Sequence, residues 1–248
     1  AKVKSAMNDI NAAQREQVAA AARGEAEKIL VVKKAEAEAE SKALQGSGIA
    51  NQRRAIVEGL QTSIEQFQKV VGGTTAGVRN VISGNNQVGV RISDSGTNYN
   101  TISGNYIGTN AAGTGAIGNT FQGVQIDAGS ANLIGGTVAG AGNVISGNLD
   151  NGILITNGGV NNYVQGNIIG LNATGSAAIA NLVGVSMKFG ANNNTIGGSA
   201  TGARNVISGS KNGGIQLDGA KNIAIGGNTV GLGADGVTVV ANAGHGID

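Results

Sequence analysis

The chain has 248 residues, 44 of them Gly, no Pro, Cys or Trp, and a formal net charge of +2. The absence of Cys excludes disulfides and thiol chemistry, and the near-neutral balance leaves no electrostatic footprint for nucleic acid. No apolar run approaches the roughly 20 residues of a membrane-crossing helix, and with only 2% aromatic residues a core must come from regular stacking of Val, Ile and Ala. The chain opens at Ala1 inside an expected helix, so it reads as a fragment, a processed chain or an engineered one.

Composition breaks near Lys69. Before it stand nine Asp/Glu and ten Lys/Arg with four Gly; after it stand 40 Gly, many Asn and no Glu. Glu, Lys, Gln and Ala favour helix, whereas Gly, Asn, Thr and Val do not. The expected fold class is mixed: a long α-helical arm of coiled-coil type over residues 1–68, then a right-handed parallel β-helix over 69–248.

The first helix is expected over residues 2–45, on the order of 65 Å at about 1.5 Å per residue. Its apolar residues are mostly Ala, with Ile10, Val18, Ile29, Leu30, Val31 and Val32. Glu38 and Lys42 form an i,i+4 pair of favourable polarity. So Ala-rich a helix buries too little alone and needs neighbours, most simply copies of itself. Gly46-Ser47-Gly48 reads as a break, followed by a second helix over 50–68. There Ile56, Leu60, Ile64 and Phe67 form one apolar stripe suited to packing against another helix.

Four strings in this half carry a resemblance: AMNDINAAQR at 6–15, AEKILVVK at 26–33, AEAEAESK at 35–42, and GIA at 48–50 with RRAIVEGL at 53–60. Their order and spacing resemble the SPFH (band 7) family, near its hypersensitive-induced-reaction and stomatin-like members. The resemblance implies the helical arm that follows the membrane-apposed SPFH domain, and association into large homo-oligomeric rings or cages at membranes. The SPFH domain itself lies outside this sequence, and β repeats replace the family's usual C-terminal segment. Oligomeric scaffolding therefore carries over and direct membrane binding does not.

The second half repeats. Asn-Val-Ile-Ser-Gly recurs at Asn80, Asn143 and Asn205, 63 and 62 residues apart, with weaker copies halfway. Coil starts align near Lys69, Asn100, Asn132, Asn162, Asn194 and Asn222, giving six coils of about 31 residues. Each coil offers three short strands. The first carries Asn-x-(Ile/Val)-x-Gly, as at 100–104 and 132–136. The second follows an Asn, as in Val81-Ile82 and Val144-Ile145, and the third opens with Gly, as in Gly89-Val90-Arg91-Ile92. Strands recurring once per coil pair with their copies as parallel sheets, and the crossover preference makes the turn right-handed. The column is roughly 29 Å tall at about 4.8 Å per coil. The last coil stops at Asp248 in mid-strand, so the stack is expected to continue or to meet a partner there.

Two Asn columns follow from this alignment: Asn80, Asn105, Asn143, Asn167, Asn205 and Asn228, and Asn100, Asn132, Asn162, Asn194 and Asn222. They sit at strand entries, where Asn tolerates left-handed turns and stacked amides can bond along the axis. Binding of sugar or ice is the functional alternative. The segment resembles the Gly/Asn-rich β-helix repeats of large bacterial surface and secreted proteins and, more distantly, the pectin-lyase-like architecture.

Polysaccharide cleavage on such a scaffold needs clustered carboxylates or a base beside a cation. The candidates are Asp94, Asp127, Asp150, Asp218, Asp235 and Asp248, with Arg91 and Lys188. Asp127 and Asp218 hold equivalent places three coils apart, roughly 14 Å, too far to act as a pair. His245 is the only His and has no second ligand nearby. The inserts at 108–115 and 170–175 are the expected exposed loops and ligand surface. Asn172-Ala173-Thr174 and Asn193-Asn194-Thr195 match the glycosylation pattern.

The reading is therefore a non-enzymatic scaffold with no catalytic, metal or cofactor residues. It assembles with copies of itself into a ring, cage or wall, and is membrane-associated in its full-length form. An adhesin or glycan-binding module on a helical stalk, at the cell surface or secreted, is the alternative; a polysaccharide lyase is a further one.

Overall fold

The computed structural model describes residues 2–67 and 70–248; the side chains of residues 2–10, 58–67 and 76 lie outside that description. The chain divides into two compact units after Phe67.

The first unit is one helix, Lys2–Phe67, of 66 residues. The break expected at Gly46-Ser47-Gly48 does not occur. Both glycines have helical backbone, and Ser47 Oγ donates to the Leu44 carbonyl at 2.9 Å within the helix. A glycine inside a helix costs about 1 kcal/mol relative to Ala, which strong helix formers on both sides offset.

The coiled-coil arm is likewise corrected. A coiled coil needs a second helix and an a/d seam, and among the described residues there is a single α-helix with no such packing. From residue 11 to 57 every helical residue is exposed except half-buried Gly24. Ile29, Leu30, Val31 and Val32 are consecutive, so they spread around the helix rather than lining one seam. Of the expected packing stripe, Ile56 is 54% exposed; the side chains of Leu60, Ile64 and Phe67 lie outside the described residues. Among the described residues the helical ion pair is Lys33–Glu36 at 3.3 Å, not the expected Glu38–Lys42. Among the described residues, no helix is long and apolar enough to cross a membrane.

The second unit is a β-solenoid of three parallel sheets. The first sheet stacks Val70–Gly72, Thr101–Ser103, Leu133–Gly135, Tyr163–Gln165, Thr195–Gly197 and Ala224–Gly226. The second stacks Val81–Ile82, Tyr106–Ile107, Val144–Ile145, Ile168–Ile169, Val206–Ile207 and Thr229–Val230. The third has five strands: Val90–Ser93, Val124–Asp127, Ile153–Thr156, Val183–Lys188 and Gly213–Asp218. The solenoid thus completes about five turns rather than six. After Thr229–Val230 the insert at 231–240 follows, and residues 245–248 meet the third sheet through the isolated bridge Ile215↔Ile247 and its neighbouring backbone hydrogen bonds.

Alternation within each strand places one face inside. Ile102, Ile134, Val164 and Ile196 stack from the first sheet, and Ile107, Ile145, Ile169 and Ile207 from the second. From the third sheet, Val124 and Ile126 stack on Ile153 and Ile155, then on Val185 and Met187. Like sits on like because the strands pair in register, as in Ile102↔Ile134 and Ile107↔Ile145. Each fully buried aliphatic side chain contributes about 1.5–3 kcal/mol, which lets a core form without aromatic residues.

The corner from the third sheet back to the first is built on two left-handed positions per coil. Asp94, Ala128, Asn157 and Phe189 hold φ of 76°, 64°, 51° and 50°. Tyr99, Ala131, Asn161, Asn193 and Asn222 hold 58°, 54°, 56°, 54° and 55°. Asn and Gly enter this region readily; other residues pay about 1–2 kcal/mol. Ala131→Asn is therefore expected to raise stability by about 0.5–1 kcal/mol, and Asn161→Ala at the equivalent place to lower it by a similar amount. Thermal unfolding of the two variants checks both signs; a lower melting temperature for Ala131→Asn would contradict the corner argument.

Candidate functional site

The most highly organised chemistry in the molecule is amide chemistry. Asn80, Asn105, Asn143, Asn167, Asn205 and Asn228 form one ladder along the axis. Asn143 shows the pattern. Its Oδ1 accepts from the Asn105 N–H at 2.9 Å and from Asn105 Nδ2 at 3.1 Å. Its own N–H and Nδ2 donate to Asn167 Oδ1 at 3.0 and 2.9 Å, and Nδ2 donates again to the Ile102 carbonyl at 2.8 Å. The same bonds run from Asn80 to Asn105, from Asn167 to Asn205 and from Asn205 to Asn228. Each inner amide uses both donors and its oxygen twice, which is full satisfaction for a buried Asn.

A second ladder joins Asn100, Asn132, Asn162 and Asn194 in the same way. Asn222 is not its next rung. Thr195 pairs with Ala224, so the residue following Asn194 in register is preceded in the last coil by Ile223. Asn222 instead has the left-handed φ of Asn193, one position earlier. A one-residue difference in corner length placed it in the wrong column of the sequence alignment.

A third ladder was not read from the sequence. Asn85, Asn119, Asn148 and Asn181 repeat the double donation at each step. Its steps are 34, 29 and 33 residues. The available signal was the recurring small-residue–Asn pair: Gly84-Asn85, Gly118-Asn119, Gly147-Asn148, Ala180-Asn181 and Ala241-Asn242. The ladder fails at Ser210. The Ser210 N–H donates to Asn242 Oδ1 at 3.0 Å, but its Oγ is buried without a hydrogen-bond partner.

The inserts alternate between two corners. In the even coils, residues 108–117, 170–179 and 231–240 lie between second and third sheets and are closed by the antiparallel bridges Thr109↔Ala116, Leu171↔Ala178 and Leu232↔Val239. The third of these was not singled out from the sequence. Ser83, Ser146 and Ser208, from the Asn-Val-Ile-Ser-Gly repeats, each donate at 2.7 Å to the base of the insert one coil on. The inserts also contact each other across a whole coil: the Ala173 N–H donates to the Gly113 carbonyl, and the Ala234 N–H to the Gly175 carbonyl, both at 2.9 Å. A Cβ on Gly113 would lie 2.6 Å from Ala173 Cβ and 2.8 Å from Tyr106 Cε2, so glycine is required there. Within each loop the backbone turns on a side chain: Asn110 and Asn172 in the first two, Asp235 in the third. The surface expected to bind ligand is thus a ridge braced against itself.

Three of the candidate carboxylates, Asp127, Asp150 and Asp235, accept side-chain hydrogen bonds, and none of these comes from another carboxylate. Asp127 accepts from Arg91 at 2.9 Å and from Asn157 at 2.8 Å. Its pKa lies below the ordinary value, chiefly through the Asn157 hydrogen bond, with Arg91 adding to it and desolvation opposing. Asp150 accepts from Gln122 at 2.6 Å. Asp235 is held low mainly by the Thr238 hydroxyl, then by the Val237 and Thr238 N–H groups. Lys188 and Asp218 face each other in register on adjacent strands. Asp94 holds a left-handed corner, and the Asp248 N–H donates to the Ile215 carbonyl. Among the described residues, no three His, Cys, Asp or Glu side chains gather to hold a metal. His245 lines a cleft of about 290 Å3 with Lys211, Asn212, Gln216 and Asp248.

Comparison with known proteins returns a likeness to a hypersensitive-induced response protein. Over 74 residues, 30% of its length, the chain is 60% identical to Hypersensitive-induced response protein 4 of Arabidopsis thaliana. The chain spans about a quarter of that curated relative, 25% of its length. This supports the SPFH-like resemblance for that stretch; the β-solenoid rests on the strands and registers above. No protein-family model matches the chain. No solved structure matches it either.

The ladders make quantitative expectations. Asn143→Ala leaves the Asn105 donors, the Ile102 carbonyl and Asn167 Oδ1 short of partners, and is expected to destabilise the solenoid by about 3–5 kcal/mol. Ser210→Asn completes the third ladder and is expected to add about 1 kcal/mol. Denaturant melts measure both, and destabilisation by Ser210→Asn would remove the ladder interpretation at that rung. Because the folded pKa of Asp127 is depressed, its contribution is present above the ordinary carboxylate range and lost as pH falls through the lowered value. With Arg91 exposed the effect is small, a few tenths of a kcal/mol. Asp127→Asn should flatten the acid limb of the stability profile by about that amount.

Proposed function

We propose that this protein is a non-enzymatic structural scaffold, built into a large homo-oligomeric ring, cage or wall and membrane-associated in its full-length form. The observation that carries the reading is the 60% identity over 74 residues to a hypersensitive-induced response protein, an SPFH-family relative. Two physical points support it. Val18 and Leu30 are each 70% exposed on a helix 66 residues long. An isolated helix owes little of its stability to propensity and gains most from burying side chains on a partner. Copies of the same chain supply such partners. The β-solenoid adds a stack whose Asn ladders bond along its own axis, which suits a wall or spacer. The non-enzymatic part of the reading is supported by Asp127, Asp150 and Asp235, each of which is bonded to a turn or a neighbouring coil rather than to a second carboxylate.

Light scattering and negative-stain microscopy of the intact chain test the assembly. Particles of many times the 24.4 kDa protomer are expected. Ile29→Asp combined with Val32→Asp should dissociate them, because charge then replaces apolar area at the contact. A uniform 24.4 kDa species at micromolar concentration would sink the proposal.

A further inference from the structure

The sequence contains three Asn-Gly dipeptides: Asn151-Gly152, Asn157-Gly158 and Asn212-Gly213. In such a pair the glycine nitrogen can attack the Asn side-chain amide carbon. A C–N bond forms, ammonia leaves, and a five-membered succinimide results. Water then opens either ring carbonyl, leaving aspartate or isoaspartate. The sum is Asn plus water giving the acid plus ammonia, and no oxidant or enzyme is needed.

The fold places the three pairs in very different surroundings. Asn151 is buried, and the Gly152 N–H donates to the Val183 carbonyl at 2.8 Å. A Cβ on Gly152 would lie 2.7 Å from the Gly184 carbonyl and 2.8 Å from Asn181 Nδ2, so this backbone has no room to rotate into a ring. Gly213 begins a strand and pairs with Val183 in the third sheet. Asn157 and Gly158 are both exposed and lie outside any strand, with φ of 51° and 82°. Around the Gly158 Cα there is open space: a Cβ there would meet nothing within 4 Å. One hydrogen bond, from the Gly158 N–H to the Phe189 carbonyl at 3.1 Å, restrains the attacking nitrogen.

We propose that Asn157 is a site of spontaneous deamidation that ages this corner of the solenoid. The site is also one where the reaction has a structural consequence. Asn157 Nδ2 donates to Asp127 Oδ1 at 2.8 Å, joining one coil to the next, and Arg91 reaches the other oxygen of the same carboxylate at 2.9 Å. Conversion to aspartate removes that donor and sets two carboxylates against each other. Asp127 then loses the largest cause of its lowered pKa and gains a like-charge neighbour, so its pKa rises. Conversion to isoaspartate also lengthens the backbone by one carbon at a left-handed corner. The inference is independent of the proposed assembly.

The test is incubation of the intact folded chain at mildly alkaline pH, with peptide mapping by mass spectrometry over time and an isoaspartyl methyltransferase assay. Asn157 should convert to a mixture of aspartate and isoaspartate about tenfold or more faster than Asn151, which can react only from a locally opened state. Asn157→Gln should abolish most of the isoaspartate signal. Asn157→Asp, made directly, should raise the apparent pKa of Asp127 in a carboxylate titration followed by NMR. Equal rates at residues 151 and 157, or no conversion at 157 before the protein unfolds, would overturn the proposal.

Discussion

A solenoid turns its chain inside its own cross-section, and each corner leaves backbone N–H groups without strand partners. Burying such a donor unpaired costs on the order of 1–3 kcal/mol, so corners repeated over five turns would cancel much of what the core supplies if left alone. Here the carboxamide of Asn solves the problem. One side-chain oxygen accepts both the backbone N–H and the Nδ2 of the coil before it, and one Nδ2 hydrogen is left for a carbonyl, as Asn143 does with Ile102. Ser is too short to do this, and the orphan Oγ of Ser210 marks the result. The aliphatic stack supplies the driving force, but the ladders permit it. They also fix register, because a one-residue slip would take every rung out of reach.

The same geometry explains why the true repeat is two coils. An insert placed in every coil at one corner would collide with its own copy about 4.8 Å away. Alternation gives each insert the height of two coils. The even-coil loops then close the gap themselves, Ala173 to Gly113 and Ala234 to Gly175. The conserved-looking Ser of Asn-Val-Ile-Ser-Gly belongs to this arrangement: it appears in the coil without the loop and clamps the base of the loop above, as Ser146 does at Leu171. Loop composition rich in Gly, Thr and Ala, which suggested a ligand surface, is what such close stacking needs.

These contacts also show what was legible in the sequence and why the rest was not. Strand identity came through because each strand carries a local alternation and an Asn or Gly at its entry. The first ladder came through because Asn-Val-Ile-Ser-Gly recurs as a string, although its steps run 25, 38, 24, 38 and 23 residues. The second came through because its steps of 32, 30 and 32 residues are nearly constant. Asn222 was misplaced because the corner before it is one residue shorter. In the first unit, Gly46 and Gly48 carried a break signal that their neighbours outweigh, because helix propagation needs only that the flanking residues prefer helix. The seam implied by Ile56, Leu60, Ile64 and Phe67 was a pattern without a partner to confirm it; Ile56 itself faces solvent. Deamidation chemistry was hidden differently: three Asn-Gly pairs look alike as text, and only backbone packing separates Asn157 from Asn151.

The two units satisfy their backbones by different means. In the solenoid, hydrogen bonds, side-chain amides and aliphatic burial all run along one axis and close within the unit. Its sides carry braced loops together with exposed Leu149, Phe189, Val237 and Val239. The helix closes its backbone bonds internally too, yet its described side chains from 11 to 57 bury almost nothing. A helix in that condition has a stability set by whatever covers its Val, Ile and Leu. Both units therefore leave apolar side chains to solvent, the helix at Val18, Leu30 and Val31 and the solenoid at Val138, Phe189 and Val237.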